Sequence, residues 1–165
     1  MNYFELFEIP VHLKVNGDLL AEKFYALSRR YHPDHAALGT LDVKDESLER
    51  SALLNKAFRT FQKPDETIKY VLQLKGLLEE EEKFELPPDF LMEVLEINEA
   101  ILDSDDHSAV PGQLEKLQSE IYEPVKEIVE NYKEDVTTQK ELLQVKEYYY
   151  KKKYIDRIRK QLTEK

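Results

Sequence analysis

Midway along the chain, four consecutive glutamates, Glu79–Glu82, run on into the pair Pro87-Pro88. The acidic run repels itself and the prolines stiffen the backbone, so no regular element is expected to pass through this stretch intact. The break divides 165 residues into two halves, each able to bury only a small core. On both sides apolar residues recur at helical spacing, and only 4 glycines interrupt them. The expectation is an all-α chain with a four-helix unit over 1–76, an acidic, proline-ended linker over 77–88, and a three-helix antiparallel bundle over 89–165.

The first unit opens with Tyr3, Phe4, Leu6 and Phe7, a short apolar helix ending before Pro10. Asn16-Gly17-Asp18 predicts a turn with Asp18 as helix cap, followed by a stripe of Leu20, Phe24, Leu27 and Tyr31. Pro33 ends that helix by disfavouring the α conformation at His32. An exposed loop is expected from His32 to about Lys44, then a third helix from near Asp45 with Leu54, Ala57, Phe58 and Phe61 on its inner face. Asp65 is the expected cap of a fourth helix through Ile68, Val71 and Leu72, with Gly76 as its C-terminal stop. In the second unit Asp89 opens a helix to about Leu102, and Asp103 to Pro111 reads as a polar loop. Leu114, Leu117, Ile121, Ile128 and Tyr132 mark the next helix, kinked at Pro124. Thr138 and Glu141 form a capping-box pattern before the last, whose inner side carries Val145, Tyr148, Ile155, Ile158 and Leu162.

Asp plus Glu number 34 against 24 Lys plus Arg, and a net charge of −10 repels phosphate backbones and anionic lipid. Nucleic acid and membrane surfaces are therefore not expected partners. No apolar run approaches the roughly 20 residues of a spanning helix. The N-terminus, MNYFELFEIP, carries acid where a targeting peptide carries base, so a cytoplasmic location is expected. With no cysteine, the chain has neither disulfides nor thiolate ligands for a metal or an iron–sulfur cluster.

Two segments stand out as candidate sites. Tyr31-His32-Pro33-Asp34 follows a helix bearing Lys23, Arg29 and Arg30. Lys23, Ala26 and Arg30 share one face, a small basic ridge leading to the proline corner on an otherwise acidic chain. On these residues alone, a solvated helix ending in an ordinary turn and a partner-docking corner are equally compatible. His32, Asp34 and His35 do not make a metal site, because Pro33 breaks the helix that would align them and no third ligand is near in sequence. No nucleophile or glycine-rich phosphate loop adjoins them, so neither catalysis nor a cofactor is expected. The run Tyr148 to Tyr154 interleaves aromatic and basic residues as some RNA binders do, yet a helix spreads them over every side and core packing accounts for them better.

The second segment is Phe90 to Asp103. Phe90, Val94, Ile97 and Ile101 complete a core face, while Leu91, Leu95 and Leu102 project about 100° away beside Met92, Glu96, Glu99 and Asp103. Two other helices cannot easily cover so broad an apolar arc. An exposed patch rimmed with acid is expected, and such patches bind proteins.

A short aromatic helix, a long helix entering His32-Pro33-Asp34, and a third bearing Leu54-Asn55-Lys56-Ala57-Phe58 resemble a J domain from Met1 to Gly76. Tyr3-Phe4-Glu5-Leu6-Phe7, the stretch Tyr70 to Gly76, and Phe90-Leu91-Met92-Glu93 followed by Leu95-Glu96 and Glu99 are similar to the HscB (Jac-type) J-domain co-chaperones of iron–sulfur cluster assembly. The resemblance covers nearly the whole chain, weakening between Ser104 and Val145. It implies a protein that is not itself an enzyme but stimulates ATP hydrolysis by a DnaK/HscA-type chaperone through His32, Pro33, Asp34, Lys23, Arg29 and Arg30. It further implies that Leu91, Met92, Leu95, Glu96, Glu99, Asp103 and Tyr154 hold an IscU-type iron–sulfur scaffold protein. Departures from the family pattern are Ala26 where a basic residue is frequent, His35 for Lys, Asp103 for Glu, and Tyr154 for Phe. The competing readings are a general J protein with a different client and a helical adaptor with no chaperone partner.

Overall fold

The computed structural model describes residues 1–32 and 41–164, with residues 41–44 described by backbone alone. All regular elements among the described residues are helices, in agreement with the all-α expectation. They form two compact units, Met1–Val71 with Lys133–Val136, and Leu72–Tyr132 with Thr137–Lys165.

In the first unit α1 spans Tyr3–Phe7, capped by the Asn2 side chain, which accepts from the Glu5 N–H at 2.8 Å. It closes on Glu8 in the left-handed region at φ 57°, with the N–H groups of Glu8 and Ile9 turned back onto Glu5 and Phe4. Helix α2 spans Gly17–Arg30, and its cap is Asn16, two residues ahead of the expected Asp18. The Asn16 amide oxygen accepts from Leu19 N–H at 3.0 Å, while Asp18 sits in the first turn, where its charge complements the helix dipole. Helix α3, Leu41–Phe61, starts before the expected Asp45. Of the loop expected over 32–44, residues 33–40 lie outside the described residues.

Helix α4, Pro64–Leu74, begins on its proline, whose fixed φ suits a first turn, so Asp65 lies inside the helix instead of capping it. The turn beyond the helix is closed at Gly76, φ 71°, where Gly76 N–H reaches Gln73 O at 3.0 Å and Leu77 N–H reaches Leu72 O at 2.9 Å. Glycine is favoured there because it adopts that conformation without the strain a side chain brings.

Helices α2 and α3 run antiparallel. Phe24 stacks on Phe58 at 3.9 Å, and the Arg50 guanidinium lies 5.5 Å over the Tyr31 ring at the other end of the pair. Leu20, Leu27, Leu54, Ala57 and Phe61 are buried between them and α1. Phe61 is the hub, with ring centroids of Phe4 at 4.8 Å, Phe7 at 5.5 Å, Tyr3 at 6.2 Å and Tyr70 at 6.3 Å. Thr67 is buried, but its hydroxyl is satisfied by the carbonyls of Thr60 and Lys63.

In the second unit α5 spans Pro88–Asp103, α6 Val110–Tyr122, α7 Lys126–Glu130 and α8 Gln139–Thr163. Pro88, expected to belong to the break, is the first helical residue, where a missing N–H costs nothing. Pro124 lies in a 3-10 turn, Glu123–Val125, that separates α6 from α7. Three residues per turn advance the phase faster than an α-helix, so Val125 and Val129 are buried and Ile128 is only half-buried. Across the turn the Tyr122 hydroxyl donates to Glu130 at 3.1 Å, and desolvation together with that carboxylate pushes the phenol up to about 12. The capping box on α8 is formed in full, Thr138 N–H to Glu141 at 2.9 Å and Glu141 N–H to Thr138 at 3.1 Å.

Glu115 pairs with Arg159 and Tyr122 packs on Tyr148, so α6 opposes α8. Phe90 meets Tyr154, while Ile101 and Leu102 line one groove with Ile158 and Leu162, so α5 and α8 run parallel. Val145, Tyr148, Ile155 and Ile158 are buried as expected, and Leu142 and Tyr149 join them. Leu162 is half-buried.

The acidic segment is packed. Leu78 is buried, Phe84 stacks on Tyr150 at 4.7 Å, and Glu82 pairs with Lys146, whose ammonium also lies 5.7 Å over the Phe84 ring. The Lys146 ammonium, and then the Glu79 N–H, hold the Glu82 carboxyl below its usual range.

Candidate functional site

The proline corner lies where α2 ends. Tyr31 is the cap residue and His32 beyond it is exposed; Pro33 and Asp34 lie outside the described residues. Lys23 is half-buried, and Arg29 and Arg30 are exposed. The two arginines differ in their surroundings. Arg30 donates to Glu8 at 2.9 Å, which draws the Glu8 carboxyl below its usual range and ties the end of α1 to the end of α2. Both side chains are about half exposed, so water screens the pair and it contributes little to stability. The Arg29 guanidinium instead lies 4.7 Å over the Tyr25 ring. Tyr25 is exposed and did not figure among the sequence candidates. Its signal was its position off the Leu20, Phe24, Leu27 stripe and four residues before an arginine.

The second surface is built on α5. Phe90, Val94 and Ile97 are buried against the bundle, whereas Leu91 is 42% exposed, Met92 64%, Leu95 56% and Leu102 82%. Glu96, Glu99 and Asp103 are exposed along the same helix. Tyr154 comes from α8, half-buried and edge-on to Phe90 at 6.3 Å, with the Arg157 guanidinium 5.8 Å over its ring. Beside it the α5/α8 seam opens into a groove of about 670 Å³ whose lining includes Ile101, Leu102, Tyr154, Ile158 and Leu162. The structure therefore sets Leu91, Met92, Leu95, Glu99 and Asp103 along the exposed face of α5, with Tyr154 at the α5/α8 seam on one flank and Glu96 at the α5/α6 groove, which Lys116 also lines, on the other. What they form is an apolar strip with a carboxylate rim, suited to holding a protein surface. Among the described residues no cluster of His, Asp and Glu is arranged to hold a metal ion, and no helix is long and apolar enough to cross a membrane.

Residues 86–163 match the family model described as the HSCB C-terminal oligomerisation domain. The co-chaperone protein HscB homolog of Shewanella halifaxensis is 32% identical over 167 residues, covering 99% of this chain and 95% of that protein. The homolog of Vibrio cholerae is 35% identical over 102 residues, a match spanning 61% of this chain and 60% of the relative's length. The crystal structure of human co-chaperone protein HscB superposes with a TM-score of 0.79 at 26% identity, covering 99% of this chain and 81% of the human one. These matches reach from the aromatic N-terminal helix to the end of α8, and the chain belongs to the HscB co-chaperone family.

Proposed function

We propose that this co-chaperone couples an IscU-type iron–sulfur scaffold protein to a DnaK/HscA-type chaperone and stimulates the chaperone's ATP hydrolysis, working in the cytoplasm and carrying no catalytic residue of its own. The J domain, residues 1–76, engages the chaperone through His32, Pro33 and Asp34 with Lys23, Arg29 and Arg30; the bundle, residues 89–165, holds the scaffold. The supporting observation is the outward row Leu91, Met92 and Leu95 on a helix whose opposite face is already buried. An apolar surface left in water beside unspent carboxylates is what a protein partner covers. Joining two binding modules in one chain raises the local concentration of client at the chaperone to about millimolar without any new contact.

Two variants test the two halves separately. His32→Gln is expected to abolish ATPase stimulation while leaving scaffold binding unchanged, because the exposed ring supports no core. Replacing Leu91, Met92 and Leu95 by Ala is expected to do the reverse. Central apolar anchors are worth about 2 kcal/mol each, a loss of roughly 30-fold in affinity for even one. Stimulation that survives His32→Gln refutes the chaperone half, and unchanged affinity of the triple variant by calorimetry refutes the scaffold half.

A further inference from the structure

The family-like contact set takes Leu91 and Leu95 from the apolar stripe on α5 but leaves out its third leucine, Leu102. At about 100° per residue Leu102 falls in line with Leu91 and Leu95, extending the row to about 16 Å, and it is the most exposed of the three at 82%. It also forms one lip of the α5/α8 groove, facing Leu162 and Arg157 from the last turns of α8. Going round α5 from that groove, the order is the α8 wall, then the leucine row, then Glu99, Met92, Asp103 and Glu96. The α8 wall carries Arg157 and also Glu164, which pairs with Lys160 at 3.9 Å, so the charges left unpaired on the two sides of the row are opposite in sign.

Both flanks are unspent. Arg157 is exposed, and its one contact is the Tyr154 ring; no carboxylate among the described residues pairs with it. Its neighbour Arg159, by contrast, is held by Asp156 at 2.9 Å and by Glu115 at 3.4 Å. Glu96, Glu99 and Asp103 likewise have no cation partner among the described residues. Opposite charges on the two sides of an apolar row reward one orientation of a docked helix and penalise its reversal.

We infer that the client surface extends to Leu102, Leu162 and Arg157, and that it takes one amphipathic helix of the scaffold protein in a fixed direction. That helix presents basic residues to Glu96, Glu99 and Asp103, and a carboxylate to Arg157. This rests on the scaffold-binding reading above and adds its register and polarity. Leu102 occupies the groove end of the row, and Arg157, a planar guanidinium backed by an aromatic ring, receives the carboxylate in bidentate fashion.

The test is calorimetric titration of the full chain with the IscU-type scaffold of the same organism, at low and high salt. Arg157→Glu is expected to weaken binding at least about tenfold, with a penalty that shrinks in high salt, while Arg157→Lys retains part of the affinity. Leu102→Ala is expected to weaken binding by a factor that salt does not change. Both side chains are exposed, so thermal melts of the variants should match the parent and any loss is a loss of contact. Wild-type affinity in both variants, alongside weakened binding by the Leu91, Met92 and Leu95 triple variant, overturns the extension and leaves the scaffold reading standing. Wild-type affinity in the triple variant as well overturns both. Concentration-dependent self-association that Leu102→Asp suppresses would assign the groove to a second copy of this chain, and also overturns the inference.

Discussion

Phe61→Ala removes the ring on which the first unit converges. The side chain is buried and has four aromatic neighbours within 6.3 Å, contributed by α1 and α4. Truncating a buried Phe costs about 3–5 kcal/mol, and the packed edge-to-face partners place this site at the upper end. At roughly 0.05–0.15 kcal/mol per residue, a unit of this length has about 4–11 kcal/mol to lose. The variant therefore removes about half or more of the first unit's stability, with a melting point lower by about 4–8 °C per kcal/mol. The chain has no tryptophan, so hydrogen exchange is a better assay than fluorescence. Amides of α1, α2 and α3 should lose protection by several orders of magnitude while those of α5, α6 and α8 keep it. ATPase stimulation should fall and scaffold affinity should not. Undiminished protection in α2 and α3 would refute the assignment of Phe61 as the hub, and equal loss in α8 would refute separate folding of the two units.

Lys146→Met tests the anchored acidic segment through pH. The Glu82 carboxyl is held below its ordinary value of 4.5, so its contribution is fully present above that value and disappears as pH falls through the lowered one. Removing Lys146 should therefore lower stability at neutral pH and flatten the acid limb of a melting-temperature profile; an unchanged acid limb would show that the pair contributes nothing. Thr138→Ala deletes the capping box and should cost about 1 kcal/mol, seen as a fall of several degrees in the circular-dichroism melt, with Thr138→Ser recovering most of it.

Much of this architecture was legible because helical periodicity, prolines and caps agree. Leu54, Ala57 and Phe61, or Val145, Tyr148, Ile155 and Ile158, could be read as inner faces from spacing alone. The outward apolar row on α5 was legible for the opposite reason: Leu91, Leu95 and Leu102 have no place in a three-helix core, and the structure exposes all three. Where the reading departed, a local rule admitted two answers. Asn16 and Asp18 are both competent caps, and only the tolerance of the first turn for Gly17 selects Asn16. Pro124 predicted a kink, but not that a 3-10 turn would bring Val125 and Val129 inward in place of Ile128. Glu79–Glu82 suggested a self-repelling acidic linker, yet Leu78 and Phe84 on either side anchor it and Lys146 pairs with one of its charges. Side-chain pairing was beyond reach of sequence, since the Arg30 to Glu8 contact spans α1 and α2 and depends on where their ends meet.

The parallel pairing of α5 with α8 has a consequence for biosynthesis. The two walls of the seam are separated by about 50 intervening residues, so they meet only after a long closure, late in folding. A chain still emerging from the ribosome, or clipped before Tyr154, presents the leucines of α5 without the opposite bank. The groove between α5 and α8 thus comes into being only when the last helix has docked, and a chain cut short of that helix never has it.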